Sequence, residues 1–100
     1  MLLESLTAAI RGKAAGSPPL GYRVKLDLGA DGVIFWDGAA NPPSVDNMPR
    51  PADATIGISL ADLEALLAGT LSPTVAYMTG RLKVEGSLGV ALKINQILED

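Results

Sequence analysis

Residues 69–94 read GTLSPTVAYMTGRLKVEGSLGVALKI, and this stretch decides the fold. Ser72 followed by Pro73 marks a helix start. Serine caps the free amides of a first turn, and proline, which lacks an N–H, suits the first helical position. Gly80 closes that short helix. "RLKVEG" then alternates, with Leu82 and Val84 facing one way and Arg81, Lys83 and Glu85 the other, which is the period of a half-buried strand. Ser87 caps a last helix that continues to the C-terminus. That helix spreads Leu88, Val90, Ala91, Leu92, Ile94, Ile97 and Leu98 over more than one face. A helix apolar around most of its circumference must be buried on more than one side. A short chain has few layers with which to do so.

Upstream, Ser59-Leu60-Ala61-Asp62 is a capping-box variant that opens "LADLEALLAG", closed by Gly69. Leu63, Leu66 and Leu67 stand at i, i+3 and i+4 and share one face of that helix. Before it, "ATIGIS" reads as a strand with Ile56 and Ile58 on one face. Residues 38–53 hold Pro42, Pro43, Pro49 and Pro51, which remove four backbone donors. A long central strand is excluded there, and a loop with a short edge strand near 44–47 is expected. "YRVKLDLG" alternates Val24, Leu26 and Leu28 against Arg23, Lys25 and Asp27. "GADG", residues 29–32, is turn chemistry, and "VIFWD" completes a β-hairpin. The first dozen residues place Leu2, Leu3, Leu6, Ala9 and Ile10 at helical spacing, ended by Gly12, Gly16 and Pro18-Pro19. The element order is helix, hairpin, proline loop, strand, two short helices, strand, helix. It predicts an α+β architecture with one sheet and helices packed on one face.

The chain has 100 residues, 48% of them apolar but only 4% aromatic. One domain, residues 1–100, standing alone, is expected. Net charge is −3, unevenly spread. Residues 1–25 carry Arg11, Lys13, Arg23 and Lys25 against Glu4, a net of +3. Residues 26–64 carry Asp27, Asp31, Asp37, Asp46, Asp53, Asp62 and Glu64 against Arg50, a net of −6. No basic surface interleaved with aromatics stands out, so nucleic acid is not an expected partner. With neither Cys nor His, there is no disulfide framework and no expected metal site. No stretch approaches the ~20 apolar residues of a membrane span, and stable membrane insertion is not expected. "MLLESLTAAI" is interrupted by Glu4 and has no basic leader, so a cytoplasmic location is expected.

Candidate chemistry is thin. "GISLA" around Ser59 is a poor nucleophile elbow, because the second Gly is missing and no His can complete a triad; Ser59 reads as a helix cap. "GADG" lacks the Lys and Ser/Thr of a phosphate loop. Asp27, Asp31, Asp37, Asp46 and Asp53 lack calcium-loop spacing and read as a solvated acidic rim. No catalytic residue and no cofactor are expected, and an enzyme is the weakest reading.

From Asp53 onward the chain resembles the C-terminal half of a sterol-carrier-protein type-2 domain. Asp53-Ala54-Thr55-Ile56 matches its D-x-T-I strand, and residues 69–73 match its G-x-x-x-P helix end. Residues 76–86 match A-[FY]-M-x-G-[KR]-L-K-[VI]-x-G, and residues 89–93 match a G-x-A-x-K helix. The proline loop replaces a better-formed strand of that family, and Ser87 replaces its usual acid. The resemblance implies a mixed sheet of about four to five strands covered on one face by helices, with an apolar tunnel between the layers. It also implies a non-catalytic protein that binds or carries a fatty acid, acyl-CoA, sterol-like or isoprenoid lipid. An internal ligand would then supply the missing side of the apolar helices.

On that reading the sheet contributes Ile34, Trp36, Ile56, Ile58, Leu82 and Val84 to the ligand site. Leu63, Leu66, Leu67, Val75 and Met78 form its helical wall, and Leu88 and Leu92 of the last helix close it as a gate. Gly86 and Gly89 beside the start of that helix allow a hinge. The alternative is an accessory module that presents the same apolar groove to a partner enzyme acting on lipid-like substrates, or a weak dimer through the C-terminal helix.

Overall fold

Leu2–Gly16 forms helix α1 and buries Leu6, Ile10 and Ala14 as one stripe at i, i+4 and i+8. The expected stop at Gly12 does not occur. A mid-helix glycine costs about 1 kcal/mol relative to alanine, and burial of Ala14 one turn later favours continuing. Ala14 thus takes the place in the buried stripe that the sequence pattern gives to Ala9, which is exposed. The computed structural model describes the backbone of residues 2–16, 21–40 and 42–99, and the side chains of all these except 2, 91 and 95–99. The expected stop at Pro18-Pro19 and the apolar side chains of Leu2, Ala91, Ile97 and Leu98 lie outside the described residues.

Strand β1 (Arg23–Asp27) and strand β2 (Val33–Asp37) form the expected hairpin around a 3₁₀ turn at Gly29–Asp31. The turn is held from β1: Asp27 Oδ1 accepts the Gly29 N–H at 2.9 Å. Strand β3 (Ser44–Asp46) is the short edge strand of the proline loop, and β4 is Ala54–Ile58. Helix α2 (Leu60–Ala68) starts on Ser59, whose Oγ accepts the Asp62 N–H at 3.1 Å, and stops at Gly69 with φ 79°. Helix α3 (Pro73–Met78) has Pro in its first turn, while the Ser72 hydroxyl makes no capping bond. Strand β5 is Leu82–Gly86, and helix α4 is Leu88–Glu99, with Ser87 Oγ accepting the Val90 N–H at 3.3 Å.

The strands form one five-stranded sheet in the order β3-β2-β1-β4-β5. Only β1 and β4 run parallel, so the sheet is mixed. Register aligns the apolar rows across the sheet: Trp36 with Val24, Ile34 with Leu26, Leu26 with Ile56, and Ile58 with Leu82. This face packs against α1, α2, α3 and α4 in one core. Burying these rows is the main stabilising term, at roughly 25 cal/mol per Å² of apolar surface. The other face carries the polar row Lys25–Thr55–Glu85 and the row Asp27–Gly57–Lys83. It also carries Phe35, which is only 1% exposed and has the Arg50 guanidinium 4.4 Å from its ring centre.

Candidate functional site

The apolar residues expected to line a site fall into two groups. Ile34, Trp36, Ile56, Ile58, Leu63, Leu66 and Leu82 are buried between sheet and helices, with Leu67 and Val84 half-buried against them. On the sheet their inward direction follows from strand register. On α2, Leu63 and Leu66 lie about one helical turn apart, share one face and are buried in the same core. The second group stays in water: Val75 is 48% exposed, Met78 78%, Leu88 54% and Leu92 55%. All four sit on α3 and α4, which touch each other and pack on the β4–β5 side of the sheet. In α4, Val90 and Ile94 take the buried positions, and this turns Leu88 and Leu92 outward. The first group is thus part of the packed core, and the second is an exposed apolar set on α3 and α4.

Two hollows lie elsewhere. One, of about 300 Å³, is on the outer face of the sheet, lined by Arg23, Phe35, Asp37, Arg50 and Pro51. The other is an open groove of about 410 Å³ at the end of the sheet, where Asp27, Gly57 and Lys83 meet Ser59, Gly80 and Arg81. Of the residues expected to touch ligand, Ile58 alone lines either hollow.

The polar groups are occupied with structure. The Ser59 hydroxyl serves as the α2 cap. Asp37 Oδ1 accepts the N–H groups of Ala39 and Ala40, each at 3.1 Å, and Asp53 Oδ2 accepts the Arg23 N–H at 2.8 Å. Burial raises the Asp46 carboxyl. The Met48 amide, the Arg50 hydrogen bond and the charges of Arg50 and Arg11 outweigh that and hold it below the ordinary carboxylate value. The acidic rim is thus a set of turn and strand-end acceptors. Among the described residues no cluster of three or more acidic side chains is placed to hold a metal ion, and no helix is long and apolar enough to cross a membrane.

Sequence reasoning did not single out Phe35 and Arg50. Alternation puts Phe35 on the outer face, and a large aromatic on a face otherwise rich in charge was the available signal that something must cover it.

The sequence profile of the SCP-2 sterol transfer family matches residues 8–99. The chain belongs to the SCP-2 sterol transfer family. It is 36% identical over 83 residues to mouse (Mus musculus) stomatin-like protein 1, covering 78% of this chain and 20% of that protein. It is 36% identical over 75 residues to the non-specific lipid-transfer protein-like 1 of Caenorhabditis elegans, covering 71% of this chain and 64% of that one. The chain thus spans about a fifth of the length of stomatin-like protein 1 and just under two thirds of the nematode protein. Among solved structures, sterol carrier protein-2 from Aedes aegypti in complex with palmitate superposes with a TM-score of 0.79 at 14% identity, over 98% of this chain and 94% of that one. That likeness is one of fold. SCP-2 membership accounts for the mixed sheet and its helical layer, as the motifs from Asp53 onward implied.

Proposed function

We propose that this SCP-2 domain binds and carries a hydrophobic ligand with a long acyl or isoprenoid body, held between its sheet and its helical layer without catalysis. The observation that carries the reading is the uncovered apolar flank of α3 and α4, Val75, Met78, Leu88 and Leu92, beside an apolar wall that includes Leu63, Leu66 and Leu82. Four large apolar side chains exposed on two neighbouring helices are the kind of surface that serves binding. Movement of α4 away from β4 and β5 would join the flank to the wall and open a tunnel. The palmitate held by the Aedes aegypti protein of the same fold supports a fatty acid as a representative ligand. Burying a sixteen-carbon chain is worth at most about 12 kcal/mol at ~0.8 kcal/mol per CH₂. Association and chain ordering remove several of those, which leaves micromolar to submicromolar binding. The same reading takes the protein to act in the cytoplasm.

A second reading is favoured by the length relationship. The domain matches only 20% of stomatin-like protein 1, so it also occurs as part of a larger protein. The apolar flank would then serve a partner enzyme or neighbouring domain. Native mass spectrometry of gently purified protein separates the two readings. Extra mass equal to a lipid supports the carrier reading. Fluorescent fatty-acid binding that is lost in Met78→Asp, with the circular dichroism spectrum retained, places the ligand at this flank. Undiminished binding by that variant would remove Met78 from the site. Absence of any fatty-acid binding by the wild type leaves the accessory reading.

A further inference from the structure

We propose that the open edge of β5 is a pairing strand for a second copy of this chain, joined antiparallel about a two-fold axis through Val84. The proposal does not depend on the lipid reading above. The two edges of the sheet differ in kind. At one edge, β3 is three residues long, is flanked by Pro42, Pro43, Pro49 and Pro51, and has the Val45 carbonyl taken by Arg11 Nη2 at 2.7 Å. These are devices that blunt an edge against pairing. At the other edge, β5 is five residues long, proline-free and paired on one side only.

Register shows which groups face outward. The Ser87 N–H donates to the Asp53 carbonyl at 3.0 Å, and the ladder continues Ala54–Gly86, Thr55–Glu85, Ile56–Val84 and Gly57–Lys83. Hydrogen-bonding direction alternates along an antiparallel strand. Lys83 and Glu85 therefore spend their backbone groups on β4, while Leu82, Val84 and Gly86 aim theirs at the open edge. Among the described residues these outward groups have no backbone partner.

The side chains select the occupant. Lys83 and Glu85 stand on the outer face, both exposed, and neither makes an ion pair among the described residues. In an antiparallel pairing centred on Val84, Lys83 lies opposite Glu85 of the second copy and Glu85 opposite its Lys83. Val84 meets its own counterpart on the helix side. The strand is thus complementary to itself in charge, as a two-fold interface requires. Cross-strand pairs of opposite charge stabilise and like pairs destabilise. A neutral or uniformly charged strand from another protein would match only half of this pattern. Pairing would extend the five-stranded sheet continuously across two copies.

Sedimentation equilibrium of the full chain, from micromolar to millimolar concentration, tests the proposal. The wild type is expected to form a dimer within that range. Lys83→Glu or Glu85→Lys alone sets like charges opposite each other twice, and each is expected to weaken dimerisation roughly tenfold to a hundredfold. The double variant K83E/E85K recreates both pairs in swapped positions and is expected to restore association to within about threefold of the wild type. Val84→Pro removes a donor that faces only the open edge and should abolish the dimer. If that variant misfolds, the charge variants, whose side chains are exposed, still decide. Amide exchange gives a second readout: protection of Val84 should rise with protein concentration, while Lys83, already bonded to β4, stays unchanged. A wild type that is monomeric at millimolar concentration overturns the proposal. So does a dimer indifferent to the single charge reversals, or one that the double swap does not restore.

Discussion

Gly86 is wedged against Asp53. A Cβ built on Gly86 would lie 2.5 Å from the Asp53 carbonyl oxygen, and Gly86 holds φ at 85°. The next residue, Ser87, donates its N–H to that same carbonyl at 3.0 Å. The end of β5, the start of β4 and the entry to α4 are thus tied at one point that admits only a hydrogen as side chain.

Gly86→Ala should therefore destabilise the domain by about 2 to 4 kcal/mol, since positive φ and backbone contact each oppose a Cβ. At roughly 4 °C or more per kcal/mol for a domain of this size, thermal unfolding would fall by about 10 °C or more. Gly12→Ala is the control, because nothing lies within 4 Å of its Cβ position and it sits inside α1. It should stabilise slightly. Equal behaviour of the two variants would show that the Gly86 contact is not a constraint.

The outer face of the sheet offers a comparison between a ring and its cover. Phe35→Ala removes a ring that is 1% exposed and is expected to cost about 3 kcal/mol or more. Arg50→Ala leaves the ring but removes the guanidinium stacked on it, and should cost about 1 kcal/mol. Urea unfolding of both gives the order. An Arg50→Ala loss as large as that of Phe35→Ala would mean that the proline loop detaches when its arginine is cut.

Acid should act through Asp46. Its carboxyl is held below the ordinary value of 3.8, chiefly against the opposing effect of burial, by Met48, Arg50 and Arg11. A carboxyl with a lowered folded pKa contributes stability above its unfolded pKa and loses it as pH falls through the folded one. The pair with Arg50 is well exposed, so the contribution is a few tenths of a kcal/mol to about 1 kcal/mol. Asp46→Asn should be less stable than the wild type near neutral pH, and the gap should close as pH drops below the ordinary carboxylate value. Unfolding curves at several pH values check this. A gap that is constant down to strong acid would assign the effect to packing rather than charge.

The gate assigned to α4 has its own signature. In lipid-free protein the amides of Leu92, Lys93 and Ile94 should exchange faster than those of Lys83 and Glu85, because α4 keeps Leu88 and Leu92 in water and is held to the core chiefly through Val90 and Ile94. Addition of a saturated fatty acid should slow the α4 amides and leave β5 unaltered. Equal protection of both segments without lipid, and no change with it, would remove the gate.

Local chemistry in the sequence determined the elements. Ser59 with Asp62, Gly69, Pro73 and Ser87 mark helix ends by bonds or backbone angles spanning a few residues, and the alternation of Leu82 with Lys83 sets a strand face by a period of two. Such signals need no knowledge of what lies across the molecule. Together with the motif series from Asp53 onward, they also carried the family. Only the tertiary structure decided which apolar positions became core. Leu63 and Met78 read alike as a ligand wall, yet one is fully buried and the other mostly in water. The difference arises because α3 commits Pro73 and Ala76 to the core, which leaves Met78 in water, whereas α2 commits Leu63 and Leu66. Phe35 meets Arg50, fifteen positions away, after a proline loop whose path no short-range rule dictates. Burial is a property of contacts between distant segments, and sequence periodicity specifies only which side of an element points toward them.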